Sequence, residues 1–235
     1  MISIVVPTYN EAGSLPTLAE RLAVALAGRE WELVVIDDGS PDGTADAAER
    51  LAARLPIRVV RRAGKSGLAS AVLAGFREAR GEILVVMDAD LSHPPEIVPA
   101  LVDAVADGAD LAVGSRYVRG GATMDWPLRR RVVSRVACLL GSALVGVRDA
   151  TSGFFALRRT VVEGVPLNPI GFKIGFEVIA RGRHGSVVEV PYTFRDRALG
   201  ASKFGRREVG QYLVQLGQVA RDKALRRIPA RTLRR

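Results

Sequence analysis

The 235-residue chain has one cysteine, two histidines and few aromatic residues, 6% of the total. A lone cysteine excludes an internal disulfide framework, and Cys138 lies in the apolar run VACLLGSALV, where a small core residue is expected. His93 and His184 stand at no ligand spacing to each other or to Cys138, so a zinc site has no support. No Gly-x-Ser-x-Gly elbow occurs, which leaves nucleophilic catalysis by a Ser/His pair unsupported. Long hydrophobic runs are also lacking. The longest, near residues 132–147, contains Ser134 and Arg135 and falls short of the ~20 residues a spanning helix needs. The N-terminal MISIVVPTYNE reads as a strand without a basic leader or a small-residue cleavage site, so no secretory signal and a cytoplasmic location are expected.

With 48% apolar residues, the chain can bury one full core, and a single elaborated domain is the expectation. Its net charge of +9 is uneven: residues 195–235 hold twelve Lys/Arg against three Asp/Glu, whereas residues 1–194 hold 22 of each. Such a basic end suits a polyanion, either nucleic acid or an anionic lipid surface, or is simply a solvated terminus.

Short apolar strands alternate with amphipathic helices through the first half, which predicts a mostly parallel sheet with right-handed crossovers. Strands are expected at 2–6, 32–36, 57–60, 82–87 and 110–114, with helices at about 13–27, 43–54, 67–80 and 95–106. After residue 115 come a glycine-containing loop, an Arg-rich segment LRRRVVSR and an apolar helix over about 128–147. SGFFALRR and SVVEVPYTF read as further strands around a helix FKIGFEVIAR. A last helix from about Glu208 to Arg227 places Val209, Tyr212, Leu213, Leu216, Val219 and Ala220 at helical spacing. The division expected is an α/β domain over 1–205 and a basic amphipathic helix and tail over 206–235.

In open parallel sheets ligands bind beyond the carboxyl ends of the strands. Here those ends read Pro7-Thr8-Tyr9-Asn10-Glu11, Asp37-Asp38-Gly39-Ser40, Asp88-Ala89-Asp90 and Ser115-Arg116. Carboxylates converging on one crevice repel, so a cation or a set of donors belongs to the working state. Asp88 and Asp90, two apart, point to one side of an extended segment roughly 6–7 Å from each other. A divalent metal, Mg²⁺ or Mn²⁺, can bridge such a pair with water and phosphate filling its other positions; a solvated strand end or helix cap is the alternative. Gly64-Lys65-Ser66 resembles the end of a phosphate-binding P-loop, but the position needing its first glycine is Val59. What remains is a glycine-flanked turn whose N–H groups and Lys65 can face a phosphate. Arg116, Arg129, Arg130, Arg131, Arg197 and Lys203 supply basic groups opposite the acidic pair, as expected where two anions meet.

With VVPTYNE, VVIDDGSPDGT, GKSGLASAVLAGFREARGEILVVMDADLSHPPE, VGSRYV and GASK in this order, the chain resembles family 2 inverting glycosyltransferases. Among these it is most similar to the dolichol- or polyprenol-phosphate mannose synthases, over about residues 1–205. The resemblance implies a GT-A sheet, a nucleotide-sugar donor and a divalent metal. On matching positions, Pro7, Tyr9 and Glu11 would line the nucleotide with Asp38 near the base or ribose, and Asp88 and Asp90 would address metal and diphosphate. Ser92 falls at a place where relatives can carry a side-chain amide. Arg116, Arg130 and Ser134 would hold the acceptor phosphate, and Arg197 and Lys203 would close over both anions. The helix at 128–147 resembles the interfacial helix by which such enzymes meet a bilayer. These features imply a peripheral enzyme at the cytosolic face, acting on GDP-mannose and a polyprenyl phosphate, with a membrane-anchoring partner protein conceivable and no nucleic acid. A UDP-sugar donor, and a non-catalytic anion- or nucleic-acid-binding module, are the alternatives carried forward.

Overall fold

The computed structural model describes residues 1–168, 170–196 and 206–225, with only the backbone of 206 and 207. Val- and Ile-rich runs bounded by polar turns form β1 (Ile2–Thr8), β2 (Trp31–Asp37), β3 (Ile57–Arg61), β4 (Ile83–Val86) and β5 (Leu111–Ser115). Between them run α1 (Leu15–Ala25), α2 (Thr44–Ala52), α3 (Leu68–Glu78) and α4 (Val98–Ala106), close to the expected spans. A 3₁₀ turn at Pro95–Ile97 leads into α4, where the prolines contribute no N–H donors and fix φ for entry.

The second half contributes β6 (Ala122–Thr123), α5 (Leu128–Val145), β7 (Phe155–Arg158), α6 (Ile174–Arg181), β8 (Val187–Pro191), β9 (Thr193–Phe194) and α7 (Arg206–Ala224). The segment expected as one strand, SVVEVPYTF, is divided at Tyr192: β8 pairs with β5, and β9 pairs with β6 in a separate ribbon. The main sheet has the order β3-β2-β1-β4-β7-β5-β8. All its pairings are parallel except those of β7, which is antiparallel to both β4 and β5. That reversal positions the site. Phe155 lies opposite Val86 and Val113, so the turn before β7 arrives beside the carboxyl ends of β4 and β5.

One core layer packs Ile4, Val6, Leu18, Leu22, Leu101 and Val102 on one face of the sheet. The other packs Val5, Ile36, Val72, Phe76 and Ile174 on the opposite face. Odd and even positions of β1 thus serve different layers, as strand alternation requires. Gly75 allows α3 to lie directly on β1, for a Cβ there would stand 2.2 Å from Val5 Cγ1. A third cluster joins α7 to α5 and α6 through Ala150, Phe176, Tyr212, Leu216 and Val219. Tyr212 Oη donates to Ala137 O at 3.0 Å. Half of the apolar stripe expected on α7 is therefore internal packing, while Val209, Leu213 and Val214 remain exposed. Among the described residues no helix is long and apolar enough to cross a membrane.

Candidate active site

The ends of β1 and β2 build one wall. Thr8 Oγ1 and the Ser40 backbone N–H both donate to Asp37, at 3.0 and 2.9 Å, which ties the two strand ends together. Asp38 accepts from Arg62 Nη1 at 2.7 Å and from the N–H groups of Ser66 and Gly67 at 3.0 and 3.2 Å. Its carboxylate thereby pulls the glycine-flanked turn against β2. Lys65, at the tip of that turn, places Nζ 4.3 Å from the centroid of the Tyr9 ring. Tyr9, Asp38 and Lys65 come together at this wall. Pro7 lies half-buried in β1, and Glu11 accepts Ser14 Oγ at 2.8 Å while its N–H donates to Thr44 Oγ1 at 2.9 Å.

The acidic pair is arranged differently from the expectation. β4 ends at Val86 and Asp90 falls in a turn, so strand alternation does not govern where the two carboxylates point. Hydrogen bonds fix the turn instead. Asp90 Oδ1 accepts the Ser92 N–H at 3.1 Å, and the Asp88 N–H donates to His93 Nδ1 at 3.0 Å. Leu91 adopts φ +63°, a left-handed conformation that is costly for a branched side chain. His93 stacks on Phe154 with ring centroids 4.9 Å apart. Burial pushes its pKa down to about 4, so the ring is neutral, Nδ1 is the acceptor and the proton resides on Nε2. Both carboxylates are half-exposed, and Ser92 Oγ beside them is buried without a hydrogen-bond partner among the described residues. No group of three or more His, Cys, Asp or Glu side chains among those residues could hold a metal. Two carboxylates and an unsatisfied hydroxyl suit a hard divalent cation that shares its coordination with a diphosphate.

Beyond β5 the basic cluster is buried. Arg116, expected on the acceptor phosphate, grips Asp149: Nε and Nη2 donate at 2.7 Å each and its backbone N–H at 2.9 Å. Nη2 also reaches Thr151 Oγ1 at 3.1 Å. Burial pushes the Asp149 carboxyl up, and the Arg116 charge and hydrogen bonds more than offset this, holding it below the usual carboxylate range. Glu189 fixes the turn from outside by accepting the N–H groups of Arg148 and Asp149 at 2.9 and 3.0 Å. Cys138 Sγ lies 3.0 Å from Thr151 Oγ1, and burial next to Asp149 pushes its thiol up to about 11. The core role expected for Cys138 thus includes a place in this network.

Arg130 is more open. It stacks 4.2 Å over the Trp126 ring and donates to Asp196 at 2.6 Å. Trp126 is buried, and its Nε1 has no hydrogen-bond partner among the described residues. Ser134 accepts the Tyr117 hydroxyl at 2.7 Å, and Arg135 packs on the same ring at 4.5 Å. Arg197 and Lys203 lie outside the described residues. The sequence reading missed Asp149, Thr151, Trp126 and the neutral His93 as parts of this site. A signal existed only for the turn DATSGFF, whose relevance depends on β7 running antiparallel.

An open, mostly parallel sheet with an acidic turn beyond β4 and a basic cluster beyond β5 is the architecture of GT-A glycosyltransferases. The crystal structure of glucosyl-3-phosphoglycerate synthase from Mycobacterium tuberculosis with Mn²⁺, UDP and glucosyl-3-phosphoglycerate is similar with a TM-score of 0.69, covering 98% of this chain and 81% of that one at 22% identity. The profile of glycosyl transferase family 2 matches residues 3–165, and the chain belongs to that family. A dolichol-phosphate mannosyltransferase from Pyrococcus furiosus is 48% identical over 216 residues, 90% of this chain but 61% of the relative's length. The polyprenol monophosphomannose synthase of Mycolicibacterium smegmatis is 42% identical over 227 residues, 92% of this chain and 85% of that protein.

Proposed function

We propose that the protein transfers mannose from GDP-mannose to a polyprenyl monophosphate with inversion, giving a β-linked lipid-phosphate sugar and GDP. The observation that carries this reading is the Phe194 ring beyond the carboxyl ends of β4 and β5: its centroid lies 5.9 Å from that of His93, which holds the acidic turn through the Asp88 N–H, and 5.8 and 6.0 Å from the guanidinium carbons of Arg116 and Arg130. An anionic donor held through a cation and an anionic acceptor held by guanidinium groups meet there. The names of the two relatives supply the donor sugar and the acceptor class.

A lipid monophosphate has its second pKa near ~6 and is largely dianionic at neutral pH. It is therefore a nucleophile without a general base, consistent with a neutral His93 engaged by the Asp88 N–H. One acceptor oxygen forms the bond to the anomeric carbon while the bond to the departing diphosphate breaks, and the electron pair leaves with GDP. Asp88 and Asp90 would hold a divalent cation, which when bound neutralises charge on the diphosphate. Lys65 and Tyr9 would flank the donor, and Pro7, Glu11 and Asp38 shape its pocket. Arg116, Arg130 and Ser134 would orient the acceptor, with Asp149 fixing the Arg116 side chain, and Arg197 and Lys203 would close over both anions.

The enzyme would sit on the cytosolic face of a membrane. Val132, Val136, Leu139 and Leu140 of α5 are exposed among Arg129, Arg131 and Arg135, an arrangement suited to lying in an anionic interface. Residues 1–205 would carry the chemistry and 206–235 reinforce attachment, a division of labour within shared packing, with a separate anchoring protein as a further partner. Sugar transfer from radiolabelled GDP-mannose to a short polyprenyl phosphate tests the reading, with UDP-glucose as the competing donor.

A further inference from the structure

Lys173 precedes α6, and Gly175 brings it to the site. A Cβ at Gly175 would stand 2.2 Å from Ser152 O, so the helix start lies directly against the turn before β7. Lys173 Nζ donates to Thr151 O at 3.1 Å, on the residue whose Oγ1 accepts from Arg116. Two cations thus converge on one threonine. Arg116 has Asp149 as its counter-charge, whereas no carboxylate among the described residues lies within 4.0 Å of Lys173. The lysine also occupies the N-cap of α6, the positive end of the helix dipole, where cations are disfavoured.

Nζ also lies 4.5 Å from the centroid of the Phe172 ring, but a hydrogen bond and a ring face leave the ammonium without a counter-charge, and an anion would supply one. We propose that Lys173 is a further acceptor-binding residue, its ammonium contacting the phosphate monoester between the Arg116 pair and the acidic turn. The inference rests on the acceptor class proposed above. Burial, and then Arg116, push the Lys173 pKa down from 10.5 to about 8, with Cys138, Asp149 and Asp88 acting in the opposite sense. Because the depressed value lies below that of the unfolded chain, the charged ammonium weakens the fold at neutral pH, and the penalty fades as pH rises from about 8 towards 10.5.

The test compares wild type with Lys173→Met and Lys173→Arg. Losing a charge-assisted contact should lower kcat/KM for the polyprenyl phosphate roughly 10- to 100-fold in Lys173→Met. The KM for GDP-mannose should stay within about twofold, the melting temperature at pH 7 should rise, and Lys173→Arg should recover most activity. In wild type kcat/KM for the acceptor should fall as pH passes about 8, a limb absent from Lys173→Met and moved upward in Lys173→Arg. Acceptor kcat/KM within about twofold of wild type in Lys173→Met, or an equal loss of donor affinity accompanied by a lower melting temperature, would overturn the inference. Titration calorimetry with short polyprenyl phosphate and with inorganic phosphate decides the matter even if wild type transfers no sugar. Weaker binding of both ligands to Lys173→Met supports contact with phosphate itself, and unchanged binding of both contradicts it.

Discussion

Replacing Asp149 by alanine isolates the network that holds the basic half of the site. Asp149 has no exposure to solvent, and Arg116 retains 9%. The carboxylate accepts three hydrogen bonds from Arg116, at 2.9, 2.7 and 2.7 Å, and a longer one from Cys138 at 3.4 Å. Removing one partner of such a pair strands the other charge and costs about 3–5 kcal/mol. For a chain of this size that is a fall of roughly 6–20 °C in melting temperature. The double variant Arg116→Met/Asp149→Leu removes both charges and should recover part of the loss, because no charge is stranded although the Arg116 backbone N–H loses its acceptor. The Asp149 carboxyl is held below its ordinary value, so its stabilisation is complete above that value and disappears as pH falls below about 4. Thermal melts of wild type, Asp149→Ala and the double variant at pH 7 and at acid pH supply the measurement. A single-variant loss under about 1 kcal/mol, or a double variant no more stable than Asp149→Ala, would refute the reasoning.

Gly141→Val should loosen α7, since even a Cβ would stand 2.5 Å from Tyr212 Oη and 2.8 Å from Ala150 Cβ. A loss of about 1–3 kcal/mol, with faster amide exchange confined first to α7, is the expected result. Leu139→Asp, at a position 67% exposed, should weaken co-sedimentation with anionic vesicles and leave GDP-mannose binding and melting temperature unchanged. Equal sedimentation would remove α5 from the interface.

The parallel half of the fold was legible because its signal is local: buried runs such as ELVVI and EILVVM separated by amphipathic helices. The strand ends followed, and with them Tyr9, Asp38 and Lys65. The antiparallel insertion of β7 was not legible, since SGFFALRR carries no mark of its direction or its neighbours. Asp149 and Thr151 were hidden for the same reason, as their turn reaches the site only through that reversal. Arg116 was recognised as a basic strand end, but its buried counter-charge 33 residues away left no pattern in the sequence. On α7 the 3.6-residue period was readable, yet period alone does not distinguish a lipid-facing stripe from one packed on α5. Tyr212, Leu216 and Val219 belong to the second kind.

The central claim is that the acidic turn serves transfer of a sugar from a nucleotide to a lipid phosphate. Transfer from radiolabelled GDP-mannose to a short polyprenyl phosphate, with Mg²⁺ or Mn²⁺, compared between wild type and Asp90→Ala, tests it most directly. The account predicts lipid-linked mannose with wild type and its loss in a variant that retains the wild-type melting temperature. An Asp90→Ala protein with undiminished transfer would contradict it, whereas a wild type inert with GDP-mannose that turns over a UDP-sugar would overturn the donor and leave the role of the acidic turn standing.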